Sequence, residues 1–266
     1  MKDIIEIALK AGVEASLAIM DIYQGDFGVY QKDDHSPVTD ADLESTRIIE
    51  DRLSVFGFPI ISEEKEIPSF QERKKFDKYF LIDPLDGTKE FVHKTGEFCV
   101  NIALVENNVP VLGYIFDPYS NRVVFGGNYT NQILHCDFNE NGKVLERNII
   151  QDTSVNELAE NSVKLVCSRR ADIERLKESA RDLFNVDKIE IKTKGSALKF
   201  IDLALNKADV YLRYGKTMEW DIAPGFAILK YMNGTIGNLD DGNDLLFNKE
   251  NLLNPPFMAY KKKLNE

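Results

Sequence analysis

The six residues DPLDGT, which start at Asp83, combine the residue types from which a metal and phosphate site can be built. A predicted strand leads into them, so the carboxylates of Asp83 and Asp86 and the carbonyl of Leu85 can face one side. Gly87 permits close backbone approach, and its N–H group and that of Thr88 can cradle a phosphate. Hard oxygen ligands are what Mg²⁺ binds. The same residues also favour an ordinary turn, so this segment alone leaves both interpretations open.

Further acidic residues lie at the ends of predicted elements elsewhere in the chain. They are Asp40, Asp42, Glu63, Glu64 and Asp221. Each has an ordinary alternative role, because acidic residues cap helices, favour the first helical turn and solvate loops. These separate roles do not account for the set as a whole. We therefore treat the acidic residues together as a candidate metal-binding group.

The composition is that of an acidic globular protein. Of its 266 residues, 43% are hydrophobic and 29% are charged, and the formal net charge is −11 at pH 7. Nucleic-acid polymers and anionic membranes require a basic face, so both are disfavoured as partners. A small anion can still bind where metal ions or a local basic cluster reverse the field.

Three cysteines, Cys99, Cys136 and Cys167, are far apart in the sequence. An odd number without a CxxC pair indicates reduced thiols and not a disulfide framework or a zinc site. Acidic residues interrupt the apolar N-terminal segment, so neither a signal peptide nor a membrane span is expected there. We expect a cytoplasmic protein.

Hydrophobic periodicity predicts a first half in which two helices precede a strand-rich meander. The helices are expected at 3–23 and about 40–56, with Thr39 or Asp40 as the N-cap of the second. Asn107-Asn108 predicts a hairpin turn. The predicted strands are 58–62, 79–83, 98–106, 109–117 and 122–127.

The second half alternates strand and helix, which predicts a βαβ layer and an overall α/β (α+β) fold. Polar residues cluster near 150–162, and this suggests two sub-domains, 1–155 and 156–266. The predicted elements are strands at 163–168, 188–192 and 209–213, and helices at about 172–184, 197–206 and 221–231.

Four motifs, in their order and approximate spacing, resemble the inositol-monophosphatase superfamily. They are SPVTDAD (36–42), ISEE (61–64), DPLDGTKEF (83–91) and WDIAPG (220–225). Together they span most of the chain, which makes the resemblance more specific than any single motif. After DGT, inositol monophosphatases usually continue with Thr-Asn-Phe, whereas this chain has Lys89-Glu90-Phe91. That continuation, and LNPPF (253–257), resemble the 3′(2′),5′-bisphosphate nucleotidase branch.

The resemblance implies a layered αβαβα sandwich with a metal site between two sub-domains. It implies two Mg²⁺ ions, with a third near Asp42 left open, and inhibition by lithium. Two metals about 3.5–4 Å apart can bridge a phosphate and lower the pKa of a bound water. Thr88 would orient the attacking water, with Asp42 or Glu63 as the proton acceptor. The implied ligands are Glu63, Asp83, the Leu85 carbonyl, Asp86 and Asp221.

On the substrate side, the resemblance places Ser196, Lys199 and Arg213 on the nucleotide. Lys199 would contact a phosphate as a point charge, and Arg213 would form a bidentate clamp. Surface solvation is the alternative for both cations. Arg169-Arg170 stands where the family often has Ser-His, which leaves the role of that loop open. The motif residues expected to contact substrate as well are Glu63, Leu85, Asp86, Gly87, Thr88 and Asp221.

The function implied is removal of the 3′-phosphate from adenosine 3′,5′-bisphosphate, which yields AMP and phosphate and links the enzyme to sulfur assimilation. 3′-Phosphoadenylyl sulfate is a second candidate substrate. One alternative is an inositol or sugar monophosphatase, and another is a non-catalytic metal- or nucleotide-binding protein. The oligomeric state is left open between monomer and homodimer.

Overall fold

Two large β-sheets and the helices around them organise the computed structural model, which describes residues 2–33, 35–150 and 161–261. The helices are α1 (Lys2–Gln24), α2 (Asp40–Leu53), α3 (Phe70–Arg73), α4 (Thr88–Val92), α5 (Ile173–Phe184), α6 (Leu198–Ala204) and α7 (Glu219–Tyr231). A short 3₁₀ helix, Ser54–Phe56, follows α2.

The strands fall into a first group before residue 150 and a second group after residue 161. The first group is β1 (Val29–Gln31), β2 (Pro37–Thr39), β3 (Ile60–Ser62), β4 (Lys78–Asp86), β5 (Cys99–Glu106), β6 (Val109–Asp117), β7 (Arg122–Gly127), β8 (Gln132–Phe138) and β9 (Val144–Ile149). The second is β10 (Ser162–Cys167), β11 (Lys188–Thr193), β12 (Val210–Arg213), β13 (Thr235–Asn238) and β14 (Phe257–Tyr260).

A seven-stranded sheet in the order β3-β4-β5-β6-β7-β8-β9 forms the larger of the two sheets. Only β3 and β4 are parallel, and the later strands pair as an antiparallel meander. Asn107 and Asn108 both have positive φ in the β5–β6 turn, as a tight hairpin of this kind requires. The predicted hairpin is therefore confirmed.

The five-stranded sheet has the order β11-β10-β12-β14-β13. Strand β10 pairs in parallel with β11 and with β12, which confirms the predicted βαβ layer. Strand β14 then pairs antiparallel with both β12 and β13.

Packing of the helices gives five layers. Helices α1 and α2 cover one face of the seven-stranded sheet. Helices α6 and α7 pack between its other face and the five-stranded sheet. Helix α5 covers the outer face of the five-stranded sheet. The predicted αβαβα sandwich is confirmed.

Helix α7 lies unusually close to strand β6. A Cβ atom built on Gly113 would lie 2.3 Å from the carbonyl oxygen of Pro224, far inside van der Waals contact. Only glycine allows this approach. The first turn of α7, which carries Asp221, is thereby held against the seven-stranded sheet.

The predicted elements differ from the structure in several places. The short strands β1, β2, β13 and β14 and the hairpin β8–β9 were not predicted as such, and β4 continues beyond 83 to Asp86. The expected boundary near 150–162 falls mostly on 151–160, outside the described residues, so the division into two sub-domains stays a prediction. Among the residues that the structure describes, no helix is long and apolar enough to cross a membrane.

Candidate active site

Three carboxylates from distant parts of the chain meet where the first turn of α7 lies against the seven-stranded sheet. Glu63 follows β3, Asp83 lies in β4, and Asp221 is the third residue of α7. Each offers an oxygen atom, and these oxygens all lie within 4.8 Å of one another. We call these three residues the acid cluster.

An irregularity in β4 brings Asp86 to the same place. Asp83 is paired with Asn101 and Asp86 with Cys99, so β4 contains one more residue than β5 over this stretch. Residues three apart on a regular strand face opposite sides, and a bulge of one residue corrects this. The Asp86 carboxylate accepts hydrogen bonds from the Ala197 N–H group at 2.6 Å and the Asn101 amide at 3.3 Å.

Local hydrogen bonds fix the turn between the two aspartates. The Leu85 N–H group donates to the Asp83 carboxylate at 3.0 Å, and the Ser45 hydroxyl donates to the Pro84 carbonyl at 2.7 Å. The Leu85 carbonyl lies 3.3 Å from the Thr88 hydroxyl. The backbone of the DPLDGT segment is therefore positioned by its own side chains and by α2.

The acid cluster is strongly unfavourable without a cation. Burial, reinforced by Glu63, Asp86 and then Asp221, raises the pKa of Asp83 well above its ordinary value. Burial, followed by Asp86 and Glu63, does the same to the pKa of Asp221. Crowded carboxylates cannot all ionise unless a positive charge enters between them. Because every donor is a carboxylate or carbonyl oxygen, the set fits a hard cation such as Mg²⁺.

Glu63 is oriented by two side chains that sequence reasoning did not single out. The indole N–H of Trp220 donates to one of its oxygens at 3.0 Å, and the Lys32 ammonium donates to the other at 3.0 Å. Lys32 also contacts Glu64 at 2.5 Å. Burial raises the pKa of Glu64 to about 7, and the hydrogen bond from Lys32 opposes that shift.

Thr88 and Asp42 form a hydrogen-bonded pair beside the acid cluster. The Thr88 hydroxyl donates to one oxygen of Asp42 at 3.1 Å. The other Asp42 oxygen accepts from the N–H and hydroxyl groups of Thr39, at 2.7 Å and 2.6 Å. Thr39, not Asp40, is the N-cap of α2. Asp42 is therefore a buried acceptor whose orientation is fixed by Thr39, with its other oxygen facing the Thr88 hydroxyl.

Gly87 is the residue at which the chain turns from β4 into α4. Its φ of +97° lies in the left-handed region, and a Cβ atom there would be 3.1 Å from the Glu97 carbonyl oxygen. Both facts favour glycine. The N–H groups of Gly87 and Thr88 lie at the start of α4, where helical N–H groups lack intrahelical acceptors.

Two adjoining depressions open at this site. One, of about 600 Å³, is lined by the acid cluster together with Leu85, Asp86, Gly87 and Thr88. The other, of about 790 Å³, contains four basic residues, and we call it the cationic cleft. Its basic residues are Arg169, Arg170, Lys199 and Arg213. The two share Asp86, Gly87, Thr217 and Asp221, so the acid cluster opens directly into the cationic cleft.

Lys199 is buried, so the surface-solvation alternative is wrong for this residue. Its ammonium donates to the carbonyls of Ser196 at 2.5 Å and Lys194 at 3.1 Å. Burial lowers the pKa of Lys199 to about 8, against the opposing effect of Asp86. Ser196 adopts a left-handed conformation with φ of +47° and lines the cationic cleft. The structure thus places both predicted residues at the cleft.

Arg213 lines the same cleft, but much of its guanidinium is bonded to the protein. Nε and one terminal nitrogen donate to the carbonyls of Gly215 and Lys216, at 3.1 Å and 2.9 Å. The other terminal nitrogen donates to the Ser168 hydroxyl. The guanidinium is therefore held in a fixed orientation before any ligand arrives.

The sequence model of the inositol monophosphatase family matches residues 1–266. This chain belongs to the inositol monophosphatase family. Among its relatives, the 3′(2′),5′-bisphosphate nucleotidase CysQ of Buchnera aphidicola is 37% identical over 233 residues, which is 86% of this chain and 82% of that protein. The CysQ of Escherichia coli strain K12 is 33% identical over 245 residues, 90% of this chain and 92% of that protein.

Solved structures agree with the family assignment. The crystal structure of CysQ from Bacteroides thetaiotaomicron, a bacterial member of the inositol monophosphatase family, has a TM-score of 0.81 and 32% identity. The match covers 97% of each chain. The Thermotoga maritima IMPase has a TM-score of 0.71 at 21% identity, over 97% of this chain and 92% of that one, and supports the fold alone.

Within this family member, the structure brings together the residues expected from the four motifs. The acid cluster, Asp86 and the Leu85 carbonyl lie at one depression, with Thr88 and Asp42 beside it. Sequence reasoning missed Lys32, Trp220 and Asn101. Trp220 could have been identified from the sequence, because it directly precedes the predicted ligand Asp221. Nothing in the sequence indicates the role of Lys32, because its contact with Glu63 joins residues 31 positions apart.

Proposed function

We propose that this chain is a Mg²⁺-dependent 3′(2′),5′-bisphosphate nucleotidase, which releases the 3′-phosphate of adenosine 3′,5′-bisphosphate and leaves AMP, in sulfur assimilation. The observation that carries the proposal is the junction between the acid cluster and the cationic cleft. A substrate with two phosphates can place one at each. The names of the CysQ relatives support the same reaction. The three cysteines are free and buried, which suits a reducing compartment such as the cytoplasm.

The metal ligands in this proposal are the residues that line the first depression. They are Glu63, Asp83, the Leu85 carbonyl, Asp86 and Asp221, which would hold two Mg²⁺ ions, and a third ion near Asp42 is left open. Bound Mg²⁺ would supply a Lewis acid for phosphoryl oxygens and a water of lowered pKa. Inhibition by lithium belongs to the same proposal.

The protein's own groups would position the water and the scissile phosphate. The Thr88 hydroxyl, whose proton points to Asp42, can accept a hydrogen bond from a water and so direct that water's lone pair. Asp42 or Glu63 would take the proton that the water loses. The Gly87 and Thr88 N–H groups would contact the phosphoryl oxygens at the start of α4.

The second phosphate of the substrate would lie in the cationic cleft. Arg213 is already oriented and retains N–H groups for a bidentate contact. Lys199 would act mainly through its charge, because two carbonyls occupy two of its three N–H donors. Ser196 would contribute a hydroxyl from the loop that carries both carbonyls.

The test is phosphate release from a substrate panel with Mg²⁺ and with EDTA. Activity should disappear in EDTA, and adenosine 3′,5′-bisphosphate should be preferred over AMP and inositol 1-phosphate. A lost charge-assisted contact costs about 1.5–3 kcal/mol, so Arg213→Ala should lower kcat/KM for the bisphosphate by roughly ten- to a hundredfold. Hydrolysis of AMP should change little.

Arg122→Ala is the matched control, because Arg122 pairs with Asp137 in the β7–β8 hairpin and does not line the cleft. If inositol 1-phosphate is the best substrate of the unmodified protein, the nucleotidase assignment is wrong and the metal chemistry stands. If activity persists in full in EDTA, the metal assignment is wrong.

A further inference from the structure

A second cavity adjoins the cationic cleft on the side away from the acid cluster. It comprises about 670 Å³ of space, part of which is open to solvent, and shares Ser168, Arg170 and Arg213 with the cleft. The contact between Arg213 and the Ser168 hydroxyl forms part of the shared wall. None of the acid cluster lines this cavity. We call it the arginine cavity, because Arg175 also lines it.

The lining of the arginine cavity is positively charged in a protein whose net charge is −11 at pH 7. It contains Arg170, Arg175 and Arg213, against one carboxylate, Asp172. That carboxylate is the N-cap of α5 and accepts from the Arg175 N–H group at 3.2 Å. Among the described residues, no carboxylate forms an ion pair with Arg170 or Arg175. Within the described part of the chain, the lining therefore keeps an excess of positive charge.

Arg175 is held at the cavity by an aromatic ring. Its guanidinium lies 3.8 Å from the centroid of Tyr214, within the range of a cation–π contact. The Tyr214 hydroxyl is 2.6 Å from that of Ser179 on the same helix, which fixes the ring. Stacking leaves the edge of the guanidinium, and thus its N–H donors, free for an anion.

The adjacent arginines of the β10–α5 loop have different environments. Arg169 donates through two nitrogens to Glu97, at 2.9 Å and 2.8 Å, and Glu97 also accepts from the Gly195 N–H group. Through Glu97, Arg169 therefore connects the β10–α5 loop to Gly195 at the edge of the cationic cleft. Arg170 lines both the cleft and the arginine cavity. Its position between the two allows it to bridge anionic groups bound in each.

We propose that the arginine cavity binds the terminal phosphate of a nucleoside 5′-diphosphate group. The substrate class would then include nucleoside 3′-phosphate 5′-diphosphates. This inference rests on the proposed function. The 3′-phosphate lies at the acid cluster, the first 5′-phosphate at Lys199 and Arg213, and the second at Arg170 and Arg175. Water adds to the 3′-phosphorus, the bond to the 3′-oxygen breaks, and that oxygen leaves with a proton. Adenosine 3′-phosphate 5′-diphosphate thus gives ADP and inorganic phosphate.

Two measurements test this assignment. Phosphate release compares kcat/KM for adenosine 3′-phosphate 5′-diphosphate and adenosine 3′,5′-bisphosphate. Titration calorimetry compares their products, ADP and AMP, at fixed free Mg²⁺. With one more charge-assisted contact, ADP should bind about tenfold more tightly than AMP. Arg175→Ala should bring that ratio close to one, and Arg175→Lys should restore part of it.

Arg181→Ala is the matched control, since Arg181 is an exposed arginine later on α5 that does not line the cavity. It should leave the ratio unchanged. Equal binding of ADP and AMP by a protein that hydrolyses adenosine 3′,5′-bisphosphate overturns this inference alone. An equal loss of both affinities in Arg175→Ala also overturns it. A protein that does not hydrolyse the bisphosphate overturns the proposed function and this inference together.

Discussion

The acid cluster and the cationic cleft use charge in opposite ways. In the acid cluster, burial and then neighbouring carboxylates raise the pKa of Asp83 and of Asp221, so the protein leaves negative charge for an external cation to neutralise. In the cationic cleft, Lys199 and Arg213 already donate to backbone carbonyls. Part of their positive charge therefore stabilises loops. From this difference we propose that the acid cluster determines whether chemistry occurs, and that the cationic cleft determines on which substrate.

The largest effect is expected from Asp83→Asn, which tests the role assigned to the acid cluster. The amide removes a negative charge from the centre of the acid cluster, so metal binding and turnover should fall together. A loss of several kcal/mol corresponds to a decrease in kcat/KM of about a thousandfold or more. In EDTA the same variant should melt higher, by about 2–4 °C for each kcal/mol of repulsion removed. Calorimetry and phosphate release check both effects.

The exposed Asp77, which precedes β4, provides the matched control for that experiment. Asp77→Asn should change neither the activity nor the melting temperature in EDTA. A lower melting temperature for Asp83→Asn in EDTA would contradict the view that the carboxylates repel one another.

A smaller effect is expected from Thr88→Ala, which tests the water-orienting role. The hydroxyl contacts Asp42 and the Leu85 carbonyl and no residue of the acid cluster. Because no carboxylate of the acid cluster loses a contact, kcat should fall about a hundredfold while the Mg²⁺ affinity stays near that of the unmodified protein. Thr88→Ser keeps the hydroxyl and should recover most of the rate. Wild-type kcat in Thr88→Ala would show that the assigned role is wrong.

The smallest effect is expected from Lys199→Met, which probes the cationic cleft. The change keeps the aliphatic chain but leaves the Lys194 and Ser196 carbonyls without their donor. We expect a decrease in kcat/KM for adenosine 3′,5′-bisphosphate of about tenfold and a loss of about 1–3 kcal/mol of stability. Chemical denaturation and steady-state kinetics measure the two effects. Lys188→Met, at an exposed lysine of β11, should show neither.

The acid cluster could be predicted because each of its residues lies in a short motif whose residue types and spacing are recognisable in the sequence. DPLDGT carries two carboxylates, a carbonyl and a glycine at fixed spacing, and the bulge that aligns Asp83 with Asp86 requires nothing beyond β4 and β5. Trp220 and Asp221 are likewise neighbours in sequence. The layered fold followed from the resemblance of these motifs to the family.

The cationic cleft could be predicted less well, because its geometry depends on long-range packing. The burial of Lys199 follows from the fold of the 194–197 loop, and a lysine in sequence gives no sign of it. The short strands β13 and β14, of four residues each, carry little periodicity, and β14 pairs between β12 and β13 only in the assembled sheet. The partner of Arg169, Glu97, is equally non-local.

The hydrogen bond from Trp220 to Glu63 also gives the protein an optical property. Trp220 is the only tryptophan in the sequence, so light absorbed selectively by indole reports on a single position. Its ring is buried, and its N–H group lies 3.0 Å from a carboxylate oxygen of the acid cluster. We expect a cation that draws electron density from Glu63 to change the electric field at this ring, and with it the wavelength and intensity of the emission. The chain would thus carry its own unlabelled fluorescent indicator of cation occupancy.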